Sequence, residues 1–173
     1  DWLKAQKAKS KPLAEYVEVY GGEWLAKQKP WQFKGDIAIP SATQNEVNEE
    51  DAKLMVENGI TYVVEGANMP LTAEAIDYIR LHRVHYAPGK AANAGGVAVS
   101  ALEMSQSSVR QYKSFEQIDL RLKNIMRNIH DSAAKASEQY GQTDNGYINY
   151  MAGANIVGFK RVADALVAYG ILN

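Results

Sequence analysis

The sequence predicts an α/β chain, the later half of a doubly wound parallel sheet followed by a C-terminal helical segment. Two observations carry that prediction. Three short apolar runs, Asp36–Ile39, Tyr62–Glu65 and His85–Ala87, are separated by segments bearing helix caps, an order that joins parallel strands through helical crossovers. Beyond the third run the texture changes, and the stretches 93–108, 114–140 and 147–169 all read as helix.

The elements follow in order. Asp1 to Tyr20 is rich in Lys, Ala, Leu and Glu, good helix formers, although Pro12 must break it in two and Gly21-Gly22 ends it. After a polar connection holding Trp24 and Trp31, Asp36-Ile37-Ala38-Ile39 reads as a buried strand stopped by Pro40. Asn48 is placed to cap a helix running through Asn58, where Asn58-Gly59 turns out; Glu49, Glu50 and Asp51 suit the positive end of its dipole. Thr72 opens the next helix, to about Leu81. Ser114 and Gln117 are spaced as a capping box, Gln142–Gly146 reads as a flexible loop, and the last helix is apolar on much of its circumference and should pack.

Composition narrows the functional classes. A length of 173 residues suits one domain with a substantial core, or a piece of a larger protein. With 19 basic against 20 acidic side chains, the chain has no bias toward polyanions, and nucleic acid is not expected as a partner. No apolar run approaches the roughly 20 residues of a membrane helix, and Asp1-Trp2-Leu3-Lys4 lacks the layout of a signal peptide. No membrane association and a cytoplasmic location are therefore expected. The lack of cysteine removes disulfides, thiolate catalysis and cysteine-ligated zinc. His82 and His85 have no third ligand nearby in sequence, so no metal is expected.

In an open parallel sheet, ligands bind outside the carboxyl ends of the strands. The three segments that follow the strands are Pro40–Glu46, Glu65–Pro70 and Ala87–Gly96, each mixing small residues with amide or hydroxyl groups. Taken singly, each is a tight turn. Taken together they converge on one rim, where a ligand site is the more natural reading. Gly95-Gly96 falls in the first turn of the helix it opens, where unpaired backbone N–H groups favour anions. Asn93, Val97, Ser100 and Met104 share one face of that helix, and the Ser100 hydroxyl is open to two readings: a ligand contact, or a bond back to its own helix.

The wording of these loops resembles successive motifs of the glutamate dehydrogenases, within the wider glutamate, leucine, phenylalanine and valine dehydrogenase family: Ser41-Ala42-Thr43-Gln44-Asn45-Glu46, Glu65-Gly66-Ala67-Asn68-Met69-Pro70 and Ala87 through Val97. Gly153-Ala154-Asn155-Ile156 with Gly158-Phe159 continues the likeness, which runs along nearly the whole chain in order. The resemblance implies a Rossmann-like oxidoreductase. It implies reversible oxidative deamination of L-glutamate to 2-oxoglutarate and ammonium, with hydride passing to NAD or NADP, and a homohexameric intact enzyme. It further implies that residues 1–108 belong to the dinucleotide-binding domain and residues 109–173 to helices bracing the domain cleft, with the substrate domain upstream. Carried over residue by residue, Ala42, Thr43, Asn68 and Asn93 line the cofactor cleft, and Asn93 lies near the meeting point of nicotinamide and substrate. Val97 lies against the substrate's methylenes, and the Ser100 hydroxyl binds its side-chain carboxylate.

Departures and omissions set the limits. Ser41 stands where the family commonly has cysteine, and His82-Arg83 where a glycine-containing turn is usual. The chain carries no G-x-G-x-x-G, and the family's catalytic lysine and aspartate belong to the upstream substrate domain, so this chain alone is expected to be inactive. Lys90 is read as a loop or phosphate-proximal cation rather than that lysine. The residue that distinguishes NAD from NADP would precede Asp1. Two alternatives stay open: a dehydrogenase for another amino acid, which Ser100 disfavours, and a non-catalytic dinucleotide-binding module.

Overall fold

The computed structural model describes residues 1–9, 12 and 14–170, which fall into two units, one of Asp1–Pro30 and one beginning at Trp31. In the first, α1 (Trp2–Ala8) and α2 (Glu15–Tyr20) flank Pro12. Trp2 meets Tyr16 and Tyr20 edge-on, at ring separations of 5.5 and 5.9 Å. The parts of the expected first helix at 10, 11 and 13 lie outside the described residues.

The second unit holds the sheet. Strands β1 (Ile37–Ala38), β2 (Tyr62–Val64) and β3 (His85–Ala87) lie in that order and pair in parallel, Ile37 opposite Tyr62 and Val63 opposite Tyr86. The crossovers are α3 (Glu49–Glu57) and α4 (Ala73–Leu81). Each begins where the sequence places it. The Asn48 side chain accepts from the Asp51 N–H at 3.0 Å while the Asp51 carboxylate accepts from the Asn48 N–H, and Thr72 accepts from the Ala75 N–H. Such caps contribute about 1 kcal/mol each.

Both crossover helices close alike. After α3 the chain turns left-handed at Gly59 (φ +83°), and the Ile60 N–H reaches the Met55 carbonyl at 3.0 Å. After α4 the same turn is made by Arg83 (φ +59°), with the Val84 N–H on the Ile79 carbonyl. The unusual His82-Arg83 turn thus keeps the geometry a glycine would give, with a side chain present. Arg83 uses that side chain, donating to the Asp144 carboxylate at 2.7 Å and lying over the Tyr147 ring.

One face of the sheet forms the core. Ala38, Val63 and Tyr86 meet Ala52 and Met55 of α3 and Ala75 and Ile79 of α4, all buried. Full burial of a side chain the size of Met55 or Ile79 contributes about 1.5–3 kcal/mol. The other face is only partly covered. His85 stacks between Tyr62 and Tyr147 there, while Ile37 and Ile39 are 59% and 58% exposed, contrary to the buried strand read from the sequence. Strand alternation turns these two isoleucines away from the core.

Beyond β3 come α5 (Gly89–Ala92), α6 (Gly95–Val109), α7 (Phe115–Gln139), a hairpin of β4 (Thr143–Asp144) and β5 (Tyr147–Ile148), and α8 (Tyr150–Tyr169). The capping box at Ser114 and Gln117 forms as predicted. The hairpin departs from the sequence expectation of a loop over 142–146 and a last helix starting at Tyr147. Asn145 and Gly146 both take positive φ, the requirement of a tight hairpin turn, so Tyr147 and Ile148 become strand and Asn149 caps α8 instead. Ser137, fully buried, holds the hairpin to α7 by donating to the Gln142 carbonyl and accepting from the Asn149 N–H. Packing of α8 is confined to its first half, since Phe159, Val162, Leu166 and Val167 remain exposed.

Candidate functional site

Parallel pairing brings the ends of β1, β2 and β3, and the loops that follow them, to one rim. There Ser41, Ala42, Gly66, Ala67, Asn68, Lys90, Asn93, Ala94 and Val97 line a cleft of about 670 Å³. The first two loops are zipped together, because the Gly66 and Ala67 N–H groups both donate to the Pro40 carbonyl, at 2.9 and 3.0 Å. A Cβ at Gly66 would meet the Ser41 hydroxyl, which would have to turn from the Ile39 carbonyl to make room. The second and third loops meet through Asn93, whose amide nitrogen donates to the Ala67 carbonyl at 3.1 Å and to the Asn68 Oδ1 at 2.8 Å.

Those bonds orient both amides. With its Nδ2 committed, Asn93 keeps its Oδ1 as an unpaired acceptor, and Asn68 keeps its Nδ2 as an unpaired donor, among the described residues. A planar group with an acceptor and a donor side by side, such as a carboxamide, can satisfy both. Lys90 is the one charged residue in the wall, so the cleft favours an anion over a cation. Small walls at Ala42, Gly66 and Ala67 let a flat or phosphate-bearing group approach the backbone. On these counts the residues fit a dinucleotide.

The sequence-flagged residues divide. Ala42, Asn68, Asn93 and Val97 line the one cleft, and Val97 is 77% exposed. Thr43 and Ser100 do not line it. Ser100 lies one turn beyond Val97 on α6, and its hydroxyl donates to the Gly96 carbonyl at 3.2 Å, so in this state it bonds back to its own helix. Gly95 has a packing explanation: a Cβ would come within 3.1 Å of Leu122 and 3.3 Å of Met126 on α7, whereas Gly96 faces open space. Lys90 bonds Asn155 of α8 and also borders a second cavity of about 490 Å³, lined by α7 and α8 and by Arg161.

Sequence reading assigned no role to Glu65. It is 3% exposed, and its Oε2 accepts from the Gly89 N–H at 2.6 Å. A carboxyl closing an apolar run was the available signal. Tyr86, beside it, has its phenol held well above the usual range, chiefly by burial and then by the Glu65 carboxyl, with Arg80 opposing.

Comparison with known proteins bears on the whole chain. Residues 1–170 match the profile of the glutamate/leucine/phenylalanine/valine dehydrogenases. All 173 residues are similar, at 80% identity, to 39% of the NADP-specific glutamate dehydrogenase of Psychrobacter sp. (strain TAD1). Identity is 46% over 160 residues to the NAD-specific glutamate dehydrogenase of Clostridium symbiosum, covering 92% of this chain and 35% of that protein. The solved structure of Plasmodium falciparum glutamate dehydrogenase superposes with a TM-score of 0.86 at 40% identity, over 96% of this chain and 35% of that one. The chain thus spans a little over a third of the relatives it matches, and it belongs to the glutamate/leucine/phenylalanine/valine dehydrogenase family.

Proposed function

We propose that the protein containing this chain is an NAD(P)-dependent glutamate dehydrogenase, interconverting L-glutamate with 2-oxoglutarate and ammonium. The observation that carries the reading is the rim cleft, where three family motifs meet and leave an unpaired acceptor on Asn93 and an unpaired donor on Asn68. In this reading residues 1–108 contribute part of the dinucleotide domain and residues 109–173 brace the cleft. Ala42, Thr43, Asn68 and Asn93 bind the dinucleotide, which supplies the hydride acceptor when bound. Asn93, Val97 and Ser100 contact the substrate.

The roles follow from chemistry. Asn68 and Asn93 orient the carboxamide end of the cofactor, and Val97 excludes water beside the substrate's methylenes. The Ser100 hydroxyl must turn from the Gly96 carbonyl to donate to the side-chain carboxylate, a charge-assisted bond of about 1.5–3 kcal/mol. None of these side chains is placed to act as the general acid or base, a task assigned to residues outside this chain; the chain by itself is therefore inactive. The 80% identical relative is NADP-specific, which favours NADP. A homohexameric, cytoplasmic enzyme is part of the same reading, as the family resemblance implies. No helix among the described residues is long and apolar enough to cross a membrane.

The test is reductive amination by the full-length protein, following NADPH and NADH oxidation with ammonium and either 2-oxoglutarate or 4-methyl-2-oxopentanoate. Turnover with NADPH and 2-oxoglutarate is expected. Turnover with the branched acid alone would make it a dehydrogenase for another amino acid. No turnover, in a protein that still binds dinucleotide, would make it a non-catalytic module.

A further inference from the structure

We propose that Glu65 is a positioning residue for the dinucleotide rim, acting through Gly89 to seat Asn93 against Asn68 and the Ala67 carbonyl. The inference rests on the reading of that rim as the dinucleotide cleft. Glu65 does not line the cleft and lies beneath it. A buried carboxyl is costly unless something depends on it, and its contacts identify what does. Its backbone belongs to the end of β2, where its N–H donates to the Ala87 carbonyl at 3.1 Å. Its side chain crosses to the third loop and takes the Gly89 N–H at 2.6 Å.

Gly89 is the pivot of that loop. It begins α5, and its carbonyl accepts the Asn93 N–H at 2.9 Å, so the position of Gly89 sets the position of Asn93. The space around it is filled: a Cβ would stand 2.9 Å from the Ala67 carbonyl oxygen, 3.2 Å from the Asn93 Nδ2 and 3.3 Å from the Glu65 Oε2. Four groups therefore meet at one point, and Glu65 is the one that ties the strand to the loop. Its Oε1 is left to the Tyr86 hydroxyl, which lies beside the carboxyl. An amide at this position would keep the acceptor for Gly89, whereas an apolar side chain of equal length would not.

The test is NADPH and NADH binding by the full-length protein, followed by fluorescence titration, in wild type, Glu65→Met, Glu65→Gln, Asn93→Ala and the Glu65→Met/Asn93→Ala double variant. Glu65→Met is expected to weaken binding of the preferred dinucleotide by about tenfold or more, and Glu65→Gln by less than about threefold. If Glu65 acts through Asn93, the double variant should bind no more than about twofold weaker than Asn93→Ala alone. Multiplying effects, or wild-type affinity in Glu65→Met, would overturn the positioning role and leave the dinucleotide reading intact. A lowered Tm with unchanged affinity would likewise make Glu65 a stability residue only. Should Glu65→Met fail to give soluble protein, Glu65→Asp reads the same quantity, since one methylene less cannot span to Gly89. Wild-type protein that binds neither dinucleotide would overturn the cleft assignment itself, and the positioning role with it.

Discussion

Tyr86 shows how one buried residue couples the core to the rim. Its ring packs against α4 from the core face of β3, and its hydroxyl lies beside Glu65. Burial disfavours the phenolate, and the neighbouring carboxyl disfavours it further, so the folded-state pKa is raised above the unfolded value of about 10. The sign follows from linkage. A raised pKa contributes stability that is fully present below pH ~10 and is lost as pH climbs toward the folded value, because the unfolded chain sheds that proton first. The loss approaches about 1.4 kcal/mol per pH unit for one such group. Tyr86→Phe removes the titrating group but keeps the ring. The Tm difference between wild type and Tyr86→Phe should therefore shift in favour of the phenylalanine variant between pH 10 and pH 11.5, and a difference that is flat with pH would count against the assignment. Tyr147 and Tyr150 have raised pKa values for the same primary reason, burial, so the wild type and Tyr86→Phe share a residual alkaline loss.

At the scale of elements, α7 and α8 approach tightly at Gly153. A Cβ there would lie 2.0 Å from the Ala133 carbonyl oxygen, a backbone atom with no rotamer to yield. The two helix backbones touch because glycine faces a buried alanine. Gly153→Ala must push α8 off α7, at a cost of about 1–3 kcal/mol or more, despite alanine's better helix propensity of about 1 kcal/mol. Thermal unfolding of the full-length protein should show the drop; an unchanged or raised Tm would mean that propensity outweighs contact. Local chemistry explains which elements were legible beforehand. Asn48, Thr72 and Ser114 announce helix starts because their side chains replace a missing backbone acceptor, a signal that needs no tertiary context. Asn145-Gly146 carries an equally local hairpin signal, but the strands it joins are two residues each, too short for any alternation to mark them. Of the rim, the loops holding Ala42, Asn68 and Asn93 are legible as small and amide residues after strands, and Val97 by its place on one face of α6, while the role of each rests on the resemblance to the family. The Glu65–Gly89 bond spans 24 positions and depends on register between β2 and β3, so no spacing in the sequence announces it.

At the scale of the whole molecule, the sheet has one finished side and one open one. Beyond β3, the rings of His85, Tyr147 and Tyr150 draw the hairpin and α8 onto the second face. Beyond β1, Ile37 and Ile39 stand exposed, and β1 is joined to β2 by only two register pairs. An edge strand this short and apolar would fray and invite pairing, which folded proteins avoid by covering or charging such edges. Neither residue of β1 is charged, although Asp36 and Pro40 flank it closely. Because the chain spans 39% of its 80% identical relative, we predict that another strand of the same protein lies on the free side of β1 and makes it an interior strand. Hydrogen exchange on the full-length protein distinguishes the two situations. If β1 is interior, the amides of residues 37–39 should exchange as slowly as those of residues 62–64, within about tenfold. If β1 is a true edge, paired through two residues and open on the other side, its amides should exchange faster by several orders of magnitude.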